Sequence, residues 1–97
     1  MWNAVTHSVV KTGVIGLTRF LATYRADKNI RVNAISPGGG VFAGKPEDFN
    51  RKLHEPIPMK RMAREDEYEG AILFLCSDAS SYRTGQNLIV DGGRTVL

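Results

Sequence analysis

The apolar positions in the first quarter of the chain repeat at the helical period. Four of them fall on one stripe of a helix: Val10, Val14, Leu17 and Leu21. This pattern predicts an amphipathic helix over residues 4–27, with a polar turn after it. Gly13 and Gly16 lie beside the stripe, and each glycine costs about 1 kcal/mol relative to alanine in a helix interior. We therefore expect another helix or a sheet to approach the helix closely at these two glycines.

Two short runs rich in β-branched residues predict strands, over residues 30–36 and 87–91. Two helices are predicted between them, a short one over residues 46–54 and a longer one over residues 64–77 whose first turn is acidic. The order of elements is therefore helix, strand, helix, helix, strand. A helical crossover between two strands indicates parallel pairing, so the pattern predicts the edge of an open α/β sheet.

A sheet of two parallel strands does not stand alone, because such strands are usually covered on both faces and have further neighbours. The 97 residues are enough for one small domain at most. We therefore expect residues 1–97 to form a single partial domain that belongs to a longer protein or to a truncated gene product.

Composition and charge exclude several classes of protein. The hydrophobic content of 42% is that of a globular protein. The net charge of +3 comes from basic residues spread along the chain, and no base-reading motif accompanies them, so a nucleic-acid partner is not expected. Neither a membrane span nor a signal peptide is apparent, which favours the cytoplasm. The single cysteine, Cys76, lies in an apolar run and is predicted to be buried and inert.

His7 and Lys11 are the residues with candidate chemistry near the start of the first helix. Their spacing of four places both side chains on one face, where a proton donor and a cation can act together. An ordinary surface histidine beside a solvated lysine has the same spacing. The spacing alone therefore leaves both interpretations open.

Five runs, in this order and at this spacing, make the chain resemble the C-terminal portion of a classical short-chain dehydrogenase/reductase. They are residues 7–19 (HSVVKTGVIGLTR), 29–38 (NIRVNAISPG), 71–81 (AILFLCSDASS), 84–86 (TGQ) and 90–93 (VDGG). The resemblance implies the C-terminal part of a Rossmann-like, doubly wound parallel sheet. It also implies an NAD(P)-dependent oxidoreductase that transfers a hydride between a nicotinamide and a small carbonyl or alcohol substrate, with a faint likeness to members that act on sugars.

In that family a tyrosine and a lysine four residues later form the active-site motif. The lysine holds the ribose hydroxyls of the cofactor and lowers the pKa of the tyrosine, which exchanges a proton with the substrate oxygen. Lys11 matches the lysine, and His7 occupies the tyrosine position. An imidazole exchanges protons near neutral pH, but its nitrogens lie nearer the backbone than a phenol oxygen does. We therefore expect impaired hydride transfer.

The resemblance also implies a cofactor loop after the first strand, at the carboxyl end where ligands collect in open α/β sheets. It assigns Pro37, Gly38, Gly39 and Val41 to contacts with the nicotinamide end of the cofactor. The threonine that the family usually carries a few residues later is absent here. Residues 42–62 correspond to the family's substrate lid.

No glycine-rich turn after a strand precedes His7, so the N-terminal dinucleotide-binding half expected of this family is not in these residues. The sequence thus leaves two main hypotheses. One is a piece of an oxidoreductase that is inactive alone, and the other is a catalytically dead remnant that self-associates. The family's subunits join through the lysine-bearing helix and the C-terminal strand, which here implies a homo-oligomer through residues 10–21 and the last strand. A basic binding module is a remote third hypothesis.

Overall fold

The computed structural model describes residues 2–38 and 56–96. Its helices and strands are α1 (Trp2–Arg25), β1 (Ala34–Pro37), α2 (Glu69–Leu75) and β2 (Asn87–Val90). Short 3-10 turns follow α1 and β2, and two more flank α2. The predicted helix over residues 46–54 lies outside the described residues. The other predicted elements are present in the predicted order.

The two strands form a parallel two-stranded sheet. The backbone N–H of Ala34 donates to the carbonyl oxygen of Gln86 at 2.9 Å, and that of Gly38 donates to Val90 at 2.8 Å. The residue number rises by four along both strands between these bonds, which happens only when the strands run in the same direction. The predicted α/β architecture with parallel strands is confirmed.

The chain divides into two compact units. One comprises Met1–Ala34 with Ser80–Asn87, and the other comprises Ile35–Ala79 with Leu88–Leu97. Helix α1 and the turns that precede β2 therefore belong to the first unit. Helix α2 and the turn that follows β2 belong to the second.

Helix α1 begins two residues before the predicted start and ends at Arg25, where a 3-10 turn, Ala26–Lys28, takes over. Asn29 then adopts a left-handed conformation with φ of 59°, which stops the helix. Thr18 and Ala22 are buried, whereas most apolar side chains of the helix are exposed. The exposed set is Val5, Val9, Val10, Val14, Leu17 and Phe20.

The close approach predicted at Gly13 and Gly16 is wrong for the residues that the structure describes. A Cβ atom built on either glycine would meet nothing within 4 Å. The physical reason is that no described segment packs on this face of α1. The glycines therefore cost helix stability without a compensating contact inside this part of the chain.

Polar side chains hold the segment before β1 against the turn before β2 in the first unit. Asn33 bridges the turn, because its Nδ2 donates to the carbonyl of Arg83 at 2.9 Å and its Oδ1 accepts the N–H of Gln86 at 3.1 Å. Val32 pairs with the same turn through Thr84 and Gly85. These bonds explain why the strand predicted over residues 30–36 is shorter and begins only at Ala34.

Helix α2 is also shorter than predicted. The acidic stretch Glu65–Glu67 forms a 3-10 turn, because the carboxylate of Glu67 accepts the N–H of Arg64 at 2.9 Å in a capping box. The α-helix proper starts at Glu69. The prediction that Cys76 is buried is wrong, since the thiol is exposed at the end of α2, where Leu73 and Phe74 are exposed as well.

The guanidinium of Arg31 belongs to the polar bridging between the residues before β1 and those before β2, and replacing it tests that bridging. Its Nη1 donates to the carbonyl and the hydroxyl oxygens of Ser80, both at 2.8 Å, and more weakly to the carbonyl of Arg83. We expect Arg31→Met to lower the free energy of unfolding by about 1–3 kcal/mol, because two half-buried acceptors lose a charged donor. Urea unfolding measures the change. The exposed Arg19→Met is the control, with an expected change within about 0.5 kcal/mol. Equal loss in both variants would contradict the account.

Candidate cofactor and proton-transfer site

His7 and Lys11 lie on the same face of α1, one helical turn apart. Both side chains are exposed. Neither has a hydrogen bond or an ion pair to any of the described residues. The imidazole nitrogens and the ammonium group are therefore available to a ligand, and the ammonium is a suitable donor to sugar hydroxyls.

Pro37 and Gly38 mark the carboxyl end of β1 in the second unit. Pro37 is the last residue of the strand, and the N–H of Gly38 continues the pairing to the carbonyl of Val90. Both residues are exposed. A Cβ atom on Gly38 would lie 2.7 Å from the Cα of Asp91, so only glycine fits this approach without a shift.

The turn after β2 is organised by the carboxylate of Asp91. Its Oδ1 accepts the N–H of Gly93 and its Oδ2 accepts the N–H of Thr95, each at 2.9 Å. Hydrogen bonds from Thr95 and Gly93 hold the pKa of this carboxyl below its usual value. Gly92 and Gly93 both have positive φ, of 66° and 95°, which glycine adopts without strain.

A second carboxylate lies beside the same turn, and it belongs to a bidentate ion pair. Glu67 accepts hydrogen bonds from Nη1 and Nη2 of Arg61 at 2.6 and 2.8 Å. These bonds, with the N–H of Arg64, lower the pKa of Glu67 from 4.5 to about 2. Arg61, Glu67 and Asp91 line one small cavity of about 120 Å³. Each of these three charged groups already has a hydrogen-bond partner inside the chain.

The structure places four of the predicted site residues and leaves the others outside the described residues. His7 and Lys11 share a face of α1 in the first unit, and Pro37 and Gly38 share a strand end in the second. Gly39 and Val41 lie outside the described residues. The sequence interpretation missed the role of Asp91. The signal was an aspartate followed by two glycines, which is typical of a turn closed by a carboxylate. From the sequence it is interpreted as the end of a strand and as one of the runs that carry the family resemblance.

Residues 2–38 and 56–96 contain neither a metal-binding cluster nor a membrane-spanning helix. No group of three or more histidine, cysteine, aspartate or glutamate side chains is placed to hold a metal ion there. No helix within the same ranges is long and apolar enough to cross a membrane.

The described residues combine the parallel edge of an open α/β sheet with an exposed helix that carries a histidine and a lysine one turn apart. Residues 1–95 match the family model described as enoyl-(acyl carrier protein) reductase. The chain belongs to the short-chain dehydrogenase/reductase family.

Known relatives extend this match. The chain is 48% identical over 95 residues to D-arabinitol 2-dehydrogenase (ribulose-forming) of Candida tropicalis, a comparison that covers 90% of this chain and 33% of that protein. It is 44% identical over 101 residues to the NADH-dependent L-xylulose reductase of Ambrosiozyma monospora, covering 96% and 37%.

The fold also matches solved structures. The crystal structure of a short-chain dehydrogenase from Leptospira borgpetersenii with bound NAD+ superposes with a TM-score of 0.83 at 44% identity, covering 91% of this chain and 34% of that one. The chain thus spans about a third of the length of the relatives that it matches.

The lowered pKa of Glu67 predicts the pH dependence of stability. A carboxyl whose pKa is depressed by folding stabilises the protein above its unfolded value, and this contribution is lost as the pH falls through the folded value. We therefore expect stability to decrease from pH 4.5 towards about 2. Urea unfolding midpoints across this range should show a shallower decrease for Glu67→Gln. The neighbouring Asp66→Asn serves as the control, and identical slopes for wild type and Glu67→Gln would refute the assignment.

Proposed function

We propose that residues 1–97 are the C-terminal part of an NAD(P)-dependent short-chain oxidoreductase, inactive without an N-terminal dinucleotide-binding half. The observation that carries this proposal is the parallel pairing of β1 and β2, which places the exposed Pro37 and Gly38 at the carboxyl end of β1, where this fold class binds its ligands. The NAD+ bound to the Leptospira borgpetersenii relative supports the choice of cofactor.

Lys11 is the residue proposed to hold the cofactor from α1. Its ammonium is exposed and has no partner among the described residues, so it can donate hydrogen bonds to the two ribose hydroxyls. Pro37, Gly38, Gly39 and Val41 are proposed to contact the nicotinamide end. When bound, the nicotinamide supplies or accepts the hydride.

His7 is proposed to exchange the proton with the substrate's carbonyl or alcohol oxygen, in the position that a tyrosine holds in the family. Its imidazole is exposed and free to do so, but it is shorter than a phenol side chain. A donor that falls short of the substrate oxygen contributes little, because proton transfer requires hydrogen-bond distance. We therefore propose that carbonyl reduction is weak when His7 is the donor.

Two of the relatives support a small polyol or ketose as the proposed substrate. D-arabinitol 2-dehydrogenase and L-xylulose reductase are both named for five-carbon sugars or sugar alcohols. A proton carrier beside a ribose-binding lysine suits the interconversion of a secondary alcohol and a ketone. The substrate is therefore proposed to be a small polyhydroxylated alcohol or its ketone.

His7→Tyr tests the proton carrier in a chimera in which residues 1–97 replace the matching third of the Candida tropicalis D-arabinitol 2-dehydrogenase. We expect the variant to raise kcat for ribulose reduction by about 100-fold, the usual contribution of a positioned general acid. NADH absorbance measures the rate. Thr6→Tyr adds a phenol away from the face of Lys11 and should change nothing. Equal rates in His7→Tyr and the parent would show that His7 is an adequate donor.

Self-association is the second candidate, and the exposure of α1 favours it. Val10, Val14 and Leu17 are each about half exposed. Single exposed apolar residues are ordinary, but a continuous stripe on one helix is typical of an interface. The proposed partner is a second copy of this chain, joined through residues 10–21 and β2. The other possible cover is the N-terminal half of its own domain.

Val14→Asp distinguishes association with a second copy of the chain from packing against the N-terminal half of the same domain. If copies associate through α1, the 97-residue chain should form dimers or larger species, and Val14→Asp should shift it to monomer. Sedimentation velocity across a concentration series measures this. Thr12→Asp adds the same charge to the neighbouring face and should leave the association intact. A monomeric wild-type chain at all concentrations would sink the self-association hypothesis.

A further inference from the structure

Gly38 rests directly against the backbone after β2. A Cβ atom at Gly38 would lie 2.7 Å from both the Cα and the Cβ of Asp91, and 3.3 Å from its carbonyl oxygen. One residue earlier on the opposite strand, the carbonyl of Val90 accepts the N–H of Gly38 at 2.8 Å. The backbone of Asp91 therefore fixes the position of Gly38 at the end of β1.

The carboxylate of Asp91 holds its own backbone in this position. It accepts two backbone N–H groups of the following turn, from Gly93 and Thr95, both at 2.9 Å. Bonds from N–H groups to a charged acceptor are stronger than those between neutral groups. Two of them fix the side-chain rotamer of Asp91 and the path of residues 91–95 together.

The same turn is packed from its other side by the segment Ile57-Pro58-Met59. A Cβ atom on Gly92 would lie 2.7 Å from Cγ2 of the buried Ile57, and the carbonyl of Gly92 accepts the N–H of Met59 at 3.2 Å. The turn is therefore packed against Ile57 and Met59. Because no empty space lies there, a displacement of Asp91 is transmitted to Gly38.

We propose that Asp91 is a positioning residue for Gly38, one of the candidate cofactor contacts: its carboxylate closes the turn after β2, and the closed turn holds Gly38 at the end of β1. Asp91 itself touches no cofactor in this scheme. The inference rests on the proposed function in one respect: Pro37 and Gly38 are taken to contact the nicotinamide end of the cofactor.

Hydrogen exchange in the 97-residue chain tests the positioning without any cofactor. In Asp91→Ala, the amide of Gly38 should exchange about tenfold faster, the factor that corresponds to the loss of about one hydrogen bond to a charged acceptor. The amide of Cys76, bonded to Ile72 in α2 at 3.0 Å, is the internal reference and should keep its rate. Asp78→Ala removes an exposed carboxylate from the same unit and should change neither amide.

Asp91→Asn separates the hydrogen bonds from side-chain size, because its single carbonyl oxygen can replace only one charged acceptor. Its Gly38 exchange rate should lie between those of wild type and Asp91→Ala. If Asp91→Ala does not fold, this variant carries the comparison with Asp78→Ala. An unchanged Gly38 rate, or equal acceleration at Gly38 and Cys76, would overturn the positioning role.

The chimera supplies the functional readout. Asp91→Ala should raise KM for NADH about tenfold and leave kcat within about threefold, because the position of Gly38 affects cofactor binding more than proton transfer. If the chimera binds no NADH with or without the substitution, the proposed function fails, and the exchange rates at Gly38 still decide the role of Asp91. An unchanged KM for NADH in a chimera that binds NADH would refute the proposal that Asp91 positions Gly38 for cofactor binding.

Discussion

The parallel pairing between β1 and β2 is the interaction on which the rest of this chain depends. It consists of a few backbone hydrogen bonds, among them Ala34 to Gln86 and Gly38 to Val90. Because the strands run in the same direction, their carboxyl ends coincide, and Gly38 after β1 meets the turn that begins at Asp91 after β2. An antiparallel arrangement would have put these two turns at opposite ends of the sheet. Gly38 and Asp91 therefore lie together because of strand direction, before any side chain is considered.

Polar bridges carry much of the remaining organisation of the described residues. The buried apolar side chains in these ranges are Ala22, Ile57 and Met62, which is little for a domain. Asn33 and Arg31 instead fasten the residues before β1 to those before β2, and Arg61 and Glu67 fasten the approach to α2. Such bonds are directional and fix geometry well, but the net contribution of each bond to stability is small. This balance agrees with the proposal that the apolar face of α1 is covered by another copy or another half.

The periodic features of the sequence predicted the fold correctly. The helical stripe through Val10, Val14 and Leu17 located α1, and the β-branched runs located both strands in the right order and direction. Strand and helix lengths were less predictable, because side-chain bonds from Asn33 and Glu67 replace backbone pairing at the element ends. The burial of Cys76 was predicted wrongly, and the close packing predicted at Gly13 and Gly16 is not supplied by the residues that the structure describes. Periodicity tells which face is apolar, but it does not tell whether anything within the same residues covers it.

The candidate site was predictable only where spacing alone determines geometry. Four residues on a helix fix a common face, so His7 and Lys11 could be paired from the sequence. Asp91 could not be connected to Gly38 in this way, since 53 residues separate them and only the register of the strands brings them together. Long-range contacts of this kind depend on tertiary pairing, which local patterns do not encode.

The most direct test of the central claim is a fluorescence titration of the chimera with NADH, in the parent and in Lys11→Met. If this chain supplies the C-terminal part of a nicotinamide site, the parent should bind NADH with enhanced fluorescence, and Lys11→Met should weaken binding by about tenfold or more because the ribose hydroxyls lose a charged donor. Absence of binding by a folded chimera, or equal affinity in both proteins, would contradict it.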